Sequence, residues 1–575
     1  MSVKQGSIAI TPGRLARAYE RAVRQGIKDE IVPRIMRRDA SVFTASKPVR
    51  ELIANRLGWV DSATQMKRRV AAIENFGLDV LRDGVKHVVL MGMGGSSLCP
   101  DLFRRMCRLP ASLQSFDVLD STDPRAITTL ARRLNLRKTL FIVASKSGGT
   151  VETRSHEAYF LGLLRDAGVR DIGKHFVAIT DGGSGLHRFA RRNKYRKIFL
   201  NPADIGGRYS ALSYFGLVPG IFAGVDLRAL VGDALLMQKI LAERRDDTNP
   251  ALLLGSLLAV GAANGCDKLT FASSKKAAPL VPWIEQLVAE STGKNGKGVI
   301  PIDAEPLTKS EKYGADRTFV FLKMSGERTP ELDRLRPSLS AKKFALVDIT
   351  LGSTDELGRQ FLLWEAATAV AGYHLEINPF DEPNVTESKN NTNAILAAFE
   401  RAGGLPLPRV HSRWGRLSLI AYEGVQARAE RETDLGHLLK RFFAGARAPR
   451  YFSILNYFQS SRNSESALGR LRRLVRDKTG MATLRGYGPH YLHSIGQLYK
   501  GGPPVGMFVI FVRDNYAHLA IPGQPFSFDQ LIAAQAIGDA QALIARRLPT
   551  LVISIDGSAA AGLEYFAKAL GRAFR

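Results

Sequence analysis

At 575 residues, with 45% hydrophobic and 23% charged side chains, the chain has ordinary globular composition and enough length for two or more domains. Its 81 lysines and arginines against 54 aspartates and glutamates give a net charge of +27, a balance that favours anionic partners. The basic residues are dispersed, as at 34–38, 132–133, 191–192 and 470–476, without interleaved aromatics or a recognisable nucleic-acid motif, so no nucleic-acid role is expected.

Taken in order, residues 15–37 and 62–81 carry apolar side chains at helical spacing and form a helical leader. From His87 onward strand and helix alternate, with strands expected at 88–91, 116–119, 139–144, 176–180 and 197–200. Unalternated apolar strands separated by helices predict a parallel sheet covered on both faces. A second α/β region begins near Asn249, with strands at 268–272, 318–323 and 345–349, a helix at 357–371 and a further strand at 375–377. Residues 403–415, with Pro406 and Pro408 among three glycines, read as a boundary. Beyond it, helical patterns at 417–443 and 464–475 lead to a strand at 507–512, a helix at 528–545 and a strand at 551–555. The order strand, helix, strand over 507–556 faintly echoes that over 344–380.

The chain has three cysteines, Cys99, Cys107 and Cys266, without metal-type spacing, which points to reduced thiols rather than a disulfide framework. It shows no signal-peptide core and no uninterrupted apolar run of about 18 residues, so a cytoplasmic protein without a membrane role is expected.

Two loops stand out. Residues 88–99, VVLMGMGGSSLC, and 141–153, FIVASKSGGTVET, are apolar runs ending in glycine- and hydroxyl-rich turns that open helices. A chain uses this arrangement to turn backbone N–H groups and hydroxyls toward an anion. The first loop lacks the GxGxxG dinucleotide spacing and the second lacks the GxxxxGK[ST] order of a P-loop. Ser145, Lys146, Ser147 and Thr150 instead supply three hydroxyls and a cation within six residues, which suits a phosphate monoester.

The pair GMGGSSL and SKSGGTVET resembles the sugar isomerase (SIS) phosphosugar-binding domain. Three further stretches resemble motifs of the phosphoglucose isomerase family: GGRYS at 206–210, LVAESTGK at 287–294 and NPFDEPNVTESK at 378–389. They occur in the family's order, and the last carries Glu382 and Thr386 where the family has glutamine and glutamate. Residues 488–502, GPHYLHSIGQLYKGG, and the tail through 555 resemble the isomerase portion fused behind transaldolase in some bacteria. A transaldolase barrel needs about 250 residues, and fewer than 90 precede the first loop, so that activity is not expected.

The resemblance implies an α/β protein with two SIS-like doubly wound domains and mainly parallel sheets. The expected division is a helical N-terminal leader (1–85), a first SIS domain (86–245), a second (246–402), and a C-terminal α/β extension (403–575) completing the second domain and the active site. It further implies interconversion of glucose 6-phosphate and fructose 6-phosphate by a homodimer without metal or organic cofactor.

Such an isomerase must open a sugar ring, remove a proton beside a carbonyl, stabilise an enediolate and return the proton one carbon away. That needs a carboxylate base, a fixed cation and a ring-opening acid/base. Glu290 is the candidate base, following the apolar segment 283–289. Arg208, preceded by two glycines, is the candidate cation, because a guanidinium stays charged and does not compete for the proton. Lys389 matches the lysine that ends the third motif, which implies help in ring opening. Animal-type relatives carry their histidine between the ESxGK and lysine motifs, but residues 295–373 contain none here. His493 is the candidate for ring opening, with His374 and His490 as alternatives. Ser96, Ser145, Lys146, Ser147 and Thr150 are the phosphate ligands that the resemblance implies. Gly95, Gly207 and Gln497 are possible substrate contacts, and Lys500 is a further one. A phosphoglucose/phosphomannose isomerase of broader specificity, or a phosphosugar sensor that binds without chemistry, would share these residues.

Overall fold

The computed structural model describes residues 3–5, 8–243, 248–384, 394–395, 409–421 and 434–575. The expected leader is not wholly helical. It opens with an antiparallel pair, β1 (Val3–Gln5) and β2 (Ile8–Thr11). Its expected helices also break in two: Ala16–Lys28 and Ile31–Met36 are separated at Glu30, which sits at φ +51°. Ser62–Lys67 and Val70–Arg82 form the second pair.

The first parallel sheet holds β3 (His87–Gly92), β4 (Ser115–Leu119), β5 (Thr139–Ala144), β6 (Phe176–Asp181) and β7 (Lys197–Asn201), in the order 4-3-5-6-7. The central strands β3 and β5 are buried along their whole length, as their unalternated sequences require. The second sheet holds β8 (Lys268–Ser273), β9 (Ile300–Ile302), β10 (Arg317–Met324) and β11 (Ala345–Leu351), all parallel. β2 joins it antiparallel to β11, giving the order 1-2-11-10-8-9.

From Arg409 the chain builds a third sheet: β12 (Arg409–Trp414), β13 (Leu417–Ala421), β14 (Tyr451–Asn456), β15 (Ala482–Tyr487), β16 (Gly506–Arg513) and β17 (Thr550–Ile555). Its order is 12-13-17-16-14-15, parallel except for the first two strands. Several expectations fail in this part of the chain. Strand β12 occupies part of the expected boundary, and the expected helical stretch at 417–443 starts as β13. That strand lies between β12 and β17, and a five-residue apolar run carries too little periodicity to separate strand from helix. Strands β14 and β15 carry no expectation at all. Residues 375–377 form a turn with Glu376 at φ +57°, not a strand, so the echo of 507–556 in 344–380 lacks its last element.

Two helices hold the three sheets together. Leu357–His374 is buried along nearly its whole length, with Phe361 edge-on to both Phe103 and Trp283. It belongs to one core with Leu90 and Ile142 of the first sheet and Leu269 and Val320 of the second. Phe528–Ala545 fills the seam between the first and third sheets. Phe528, Leu531 and Ala534 pack with Phe141 and Phe160, while Ile532, Ala536 and Ile537 pack with Phe508, Ile510 and Val552. A helix apolar all round is what such a position selects.

Leu531 is fully buried in that seam. Leu531→Ala is expected to cost roughly 2–5 kcal/mol and to lower the urea midpoint. An unchanged midpoint would show that the seam does not carry the fold.

Candidate active site

In a parallel sheet wound outward from an inner strand, ligands gather where neighbouring strands lead off in opposite directions. In the first sheet that point lies between β3 and β5, and both glycine loops stand there.

The first loop depends on missing Cβ atoms. Gly94 sits at φ +53°, and a Cβ on it would fall 2.4 Å from the His493 carbonyl and 2.8 Å from Gln286 Nε2. A Cβ on Gly95 would fall 2.1 Å from the Gly207 carbonyl. Glycine here lets three remote segments, 94–96, 207–210 and 490–494, meet backbone to backbone. Ser96 ends the short turn Gly94–Ser96 and is half-buried. Gly207 faces open space.

In the second loop the Ser145 hydroxyl accepts from Gly148 N (3.1 Å) and pairs with Thr150 Oγ1 (3.0 Å). Thr150 caps the helix Val151–Asp166 in extended geometry without bonding its side chain to the first turn, so the leading N–H groups of that helix stay available to an anion. Ser147 and Gly149 are exposed, and nothing would obstruct a Cβ on Gly149. Lys146 is held aside: its Nζ bonds Asp181 Oδ2 at 2.6 Å and the Ala203 carbonyl at 2.9 Å.

The second half of the site is built around Arg208, on the short turn Gly207–Tyr209. Its guanidinium is buried and donates to Ser291 Oγ (2.8 Å), Glu382 Oε2 (2.9 Å) and the carbonyls of Pro379 (2.8 Å) and Asp381 (2.9 Å). Glu290 lies on the buried helix Val281–Thr292, with Oε2 3.6 Å from Arg208 Nη1. Burial pushes the Glu290 carboxyl up to about 7; Arg208 pulls it back, and the charge of Glu382 pushes it further up. Lys294 is drawn down to about 8 by burial and by Arg208, and its Nζ bonds the Asn378 carbonyl and Asp381.

The histidines separate by environment. His493 Nε2 lies 2.9 Å from Glu152 Oε1, and the same oxygen accepts from Gln535 Nε2 at 2.8 Å. Nδ1 of His493 has no partner among the described residues. Gln286 Nε2 donates to the His493 carbonyl at 2.8 Å and lies 3.4 Å from Glu290 Oε2, so one amide joins the histidine segment to the candidate base. His490 pairs with Asp120 at 2.7 Å; burial lowers its pKa, but Asp120 prevails and lifts it to about 9. His374 faces Ser256 Oγ at 3.1 Å, and burial lowers it to about 4.

Gln497 is fully buried, its amide spent on the Gly293 carbonyl, Asn384 Oδ1 and Asn384 N. Lys500 pairs with Asp539 at 2.7 Å. With its whole amide engaged, Gln497 is corrected from a substrate contact to a group that holds the wall. Lys389 lies outside the described residues.

Sequence reasoning leaves Glu152, Glu382 and Gln286 without roles. A signal exists for each: Glu152 sits inside the quoted VET, Glu382 is the departure from the third motif, and Gln286 stands one helical turn before Glu290.

A family model described as phosphoglucose isomerase matches residues 55–306. A probable glucose-6-phosphate isomerase of Methanococcus maripaludis is 28% identical over 379 residues, covering 56% of this chain and 83% of that protein. A glucose-6-phosphate isomerase of Parabacteroides distasonis is 29% identical over 401 residues, covering 59% and 87%. Among solved structures, a hypothetical protein of Thermus thermophilus aligns over 68% of this chain and all of its own, with TM-score 0.59 and 24% identity. A glucose-6-phosphate isomerase of Chlamydia trachomatis aligns over 69% and 90%, with TM-score 0.54 and 17% identity. These two share the fold. The family model and the sequence relatives agree with the motif matches in making the chain similar to phosphoglucose isomerases.

Proposed function

We propose that the chain interconverts glucose 6-phosphate and fructose 6-phosphate through an enediolate. The observation that carries this reading is a buried glutamate, Glu290, with a carboxyl pushed up to about 7, 3.6 Å from a buried guanidinium. A carboxylate base works best when its pKa lies near the operating pH, and a guanidinium beside it stabilises the negative charge that forms as the proton leaves. Glu290 takes the proton from C2 and returns it to C1, while Arg208 faces the enediolate oxygens.

The phosphate sits against Ser96, Ser145, Ser147, Thr150 and the first turn of the Val151–Asp166 helix. Lys146 adds positive field from beside Asp181. Anchoring the far end of the sugar fixes C1 and C2 at Glu290, and binding energy spent there appears as rate. His493, oriented by Glu152, exchanges a proton with the ring oxygen; a carboxylate on one ring nitrogen fixes the tautomer presented by the other. Lys389 keeps the ring-opening role that the resemblance implies.

The protein acts in the cytoplasm as a homodimer on a small phosphosugar, as the family resemblance implies. No helix of the described residues is long and apolar enough to cross a membrane.

Glu290→Gln is expected to lower solvent deuterium exchange at C2 by at least about 10²-fold while fructose 6-phosphate still binds. Turnover near the parent rate would remove Glu290 from the mechanism. The same substitution has a stability signature. A carboxyl raised from 4.5 to about 7 on folding favours the neutral form, so its contribution is fully present below pH 4.5 and is lost as pH rises through 7. Glu290→Gln is therefore expected to melt above the parent at pH 8, with the gap closing at pH 4.5.

Glu382→Gln removes the charge that competes for Arg208 and raises Glu290. The acid limb of the kcat/KM profile is expected to move to lower pH; a limb that stays or moves up would refute the competition. His493→Ala is expected to cost about 10²–10⁴-fold in kcat on the ring-closed sugar, with C2 exchange on the open-chain form far less affected. Equal losses in both would deny His493 a ring-opening role.

A further inference from the structure

All three sheets are wound alike. In each, the first parallel strand is inner, the second lies on one side of it and the third on the other: 4-3-5, 9-8-10 and 15-14-16. Each sheet therefore has one point where the loops of its first and third strands face each other, the position at which parallel sheets bind ligands.

The three points differ. In the first sheet it holds the phosphate loops. In the second it is tied shut: Ser274 Oγ accepts from Met324 N at 3.2 Å, and Glu327 Oε1 accepts from Lys276 N at 3.2 Å. In the third it opens into a cavity of about 480 Å³ lined by Gln459, Ser460 and Ser461 after β14, Arg513 at the end of β16 and Asn515 beyond it, Ser558 after β17, and Arg125 from the first sheet's side.

The charge of this cavity is unbalanced. Neither Arg125 nor Arg513 has an ion-pair or side-chain hydrogen-bond partner among the described residues. Burial lowers the Arg513 pKa, and the nearby Arg125 lowers it further. The one acid in the lining, Asp123, keeps its charge but turns its oxygens to backbone N–H groups, accepting from Arg125 N at 2.8 Å and Gln459 N at 2.5 Å. Ser461 and Ser558 start the long helices Arg462–Thr479 and Ala559–Ala573, whose leading ends add positive field on the same side. Two guanidiniums held near each other, with the charges of Asp123 and Asp514 nearby but no ion pair to either arginine among the described residues, are the wall of an anion site.

We propose that this cavity is a second binding site for a phosphate monoester dianion, separate from the isomerase site and sharing no lining residue with it. The phosphate lies between Arg125 and Arg513 and takes hydrogen bonds from Ser460 and Asn515. The volume left over accommodates a hexose-sized body, small-molecule sites spanning about 300–1,000 Å³. Because one arginine comes from the first sheet's side and the other from the third sheet, occupancy joins the two.

Equilibrium dialysis of the full chain against radiolabelled fructose 6-phosphate, and separately against orthophosphate, tests this. Two equivalents of fructose 6-phosphate per chain are expected, falling to one in Arg125→Ala/Arg513→Ala with kcat and KM of isomerisation unchanged. Thr150→Ala, in the first loop, is expected to weaken only the other equivalent, which separates failure of this site from failure of the isomerase assignment. Orthophosphate bound at the arginine-dependent site while fructose 6-phosphate is refused would keep the anion site and identify the free ion as its ligand. One equivalent of each ligand in the parent protein, or two in the double variant, would overturn the proposal. The parent stoichiometry alone decides if the variant does not fold.

Discussion

The site hangs on how one buried guanidinium divides its donors. Arg208 is enclosed by groups from two other segments: Ser291 from the helix Val281–Thr292, and Pro379, Asp381 and Glu382 from the stretch after Leu357–His374. A buried guanidinium demands that nearly every N–H be satisfied, so the proposed catalytic cation also fixes the relative placement of three chain segments. Two carboxylates compete for it. Glu382 holds it at 2.9 Å and Glu290 stands back at 3.6 Å; burial lifts Glu290 to about 7 with Arg208 only partly offsetting it, while Arg208 holds Glu382 below its ordinary value. A closer Arg208–Glu290 pair would make a firmer ion pair and a weaker base.

Glycine does comparable work on the other wall. At Gly94 and Gly95 the neighbours that a Cβ would strike are backbone carbonyls of His493 and Gly207, which have no room to yield. The phosphate loops are therefore positioned by backbone contact rather than by long side chains. That suits a part that must present N–H groups at fixed positions.

Much of this was legible in the sequence, for identifiable reasons. Strands β3, β5, β6, β8 and β10 carry mainly apolar, buried runs flanked by turn signals, so they fall within a residue or two of where the pattern puts them. Phe528–Ala545 coincides with its expected range because a capping box at Ser527 and Gln530 marks its start. The third sheet was half hidden. β13 reads as helix because its apolar run is too short to show a period, and β14, YFSILN, mixes serine and asparagine into a buried strand. In the site, local motifs mark Glu290, Arg208 and the phosphate loops. The partner of His493 was invisible for a different reason: Glu152 is 341 positions away, and no local pattern encodes such a pairing. Gln497 looked like a substrate contact because polarity alone does not distinguish a group facing a cavity from one engaged inside a wall.

The tie from Gln535 through Glu152 to His493 sets an order of events during synthesis. The first sheet and its loops are complete by residue 201, and the proposed base and cation by residue 290. The histidine's carboxylate, however, is held by a helix that begins at Phe528. A chain missing its last fifty residues would keep the proposed base, the proposed cation, the histidine and its carboxylate Glu152, and would lose the Gln535 amide that bonds that carboxylate. The last helices of the chain thus reach back to a carboxylate in its first third, and the two ends of the sequence meet beside the same imidazole.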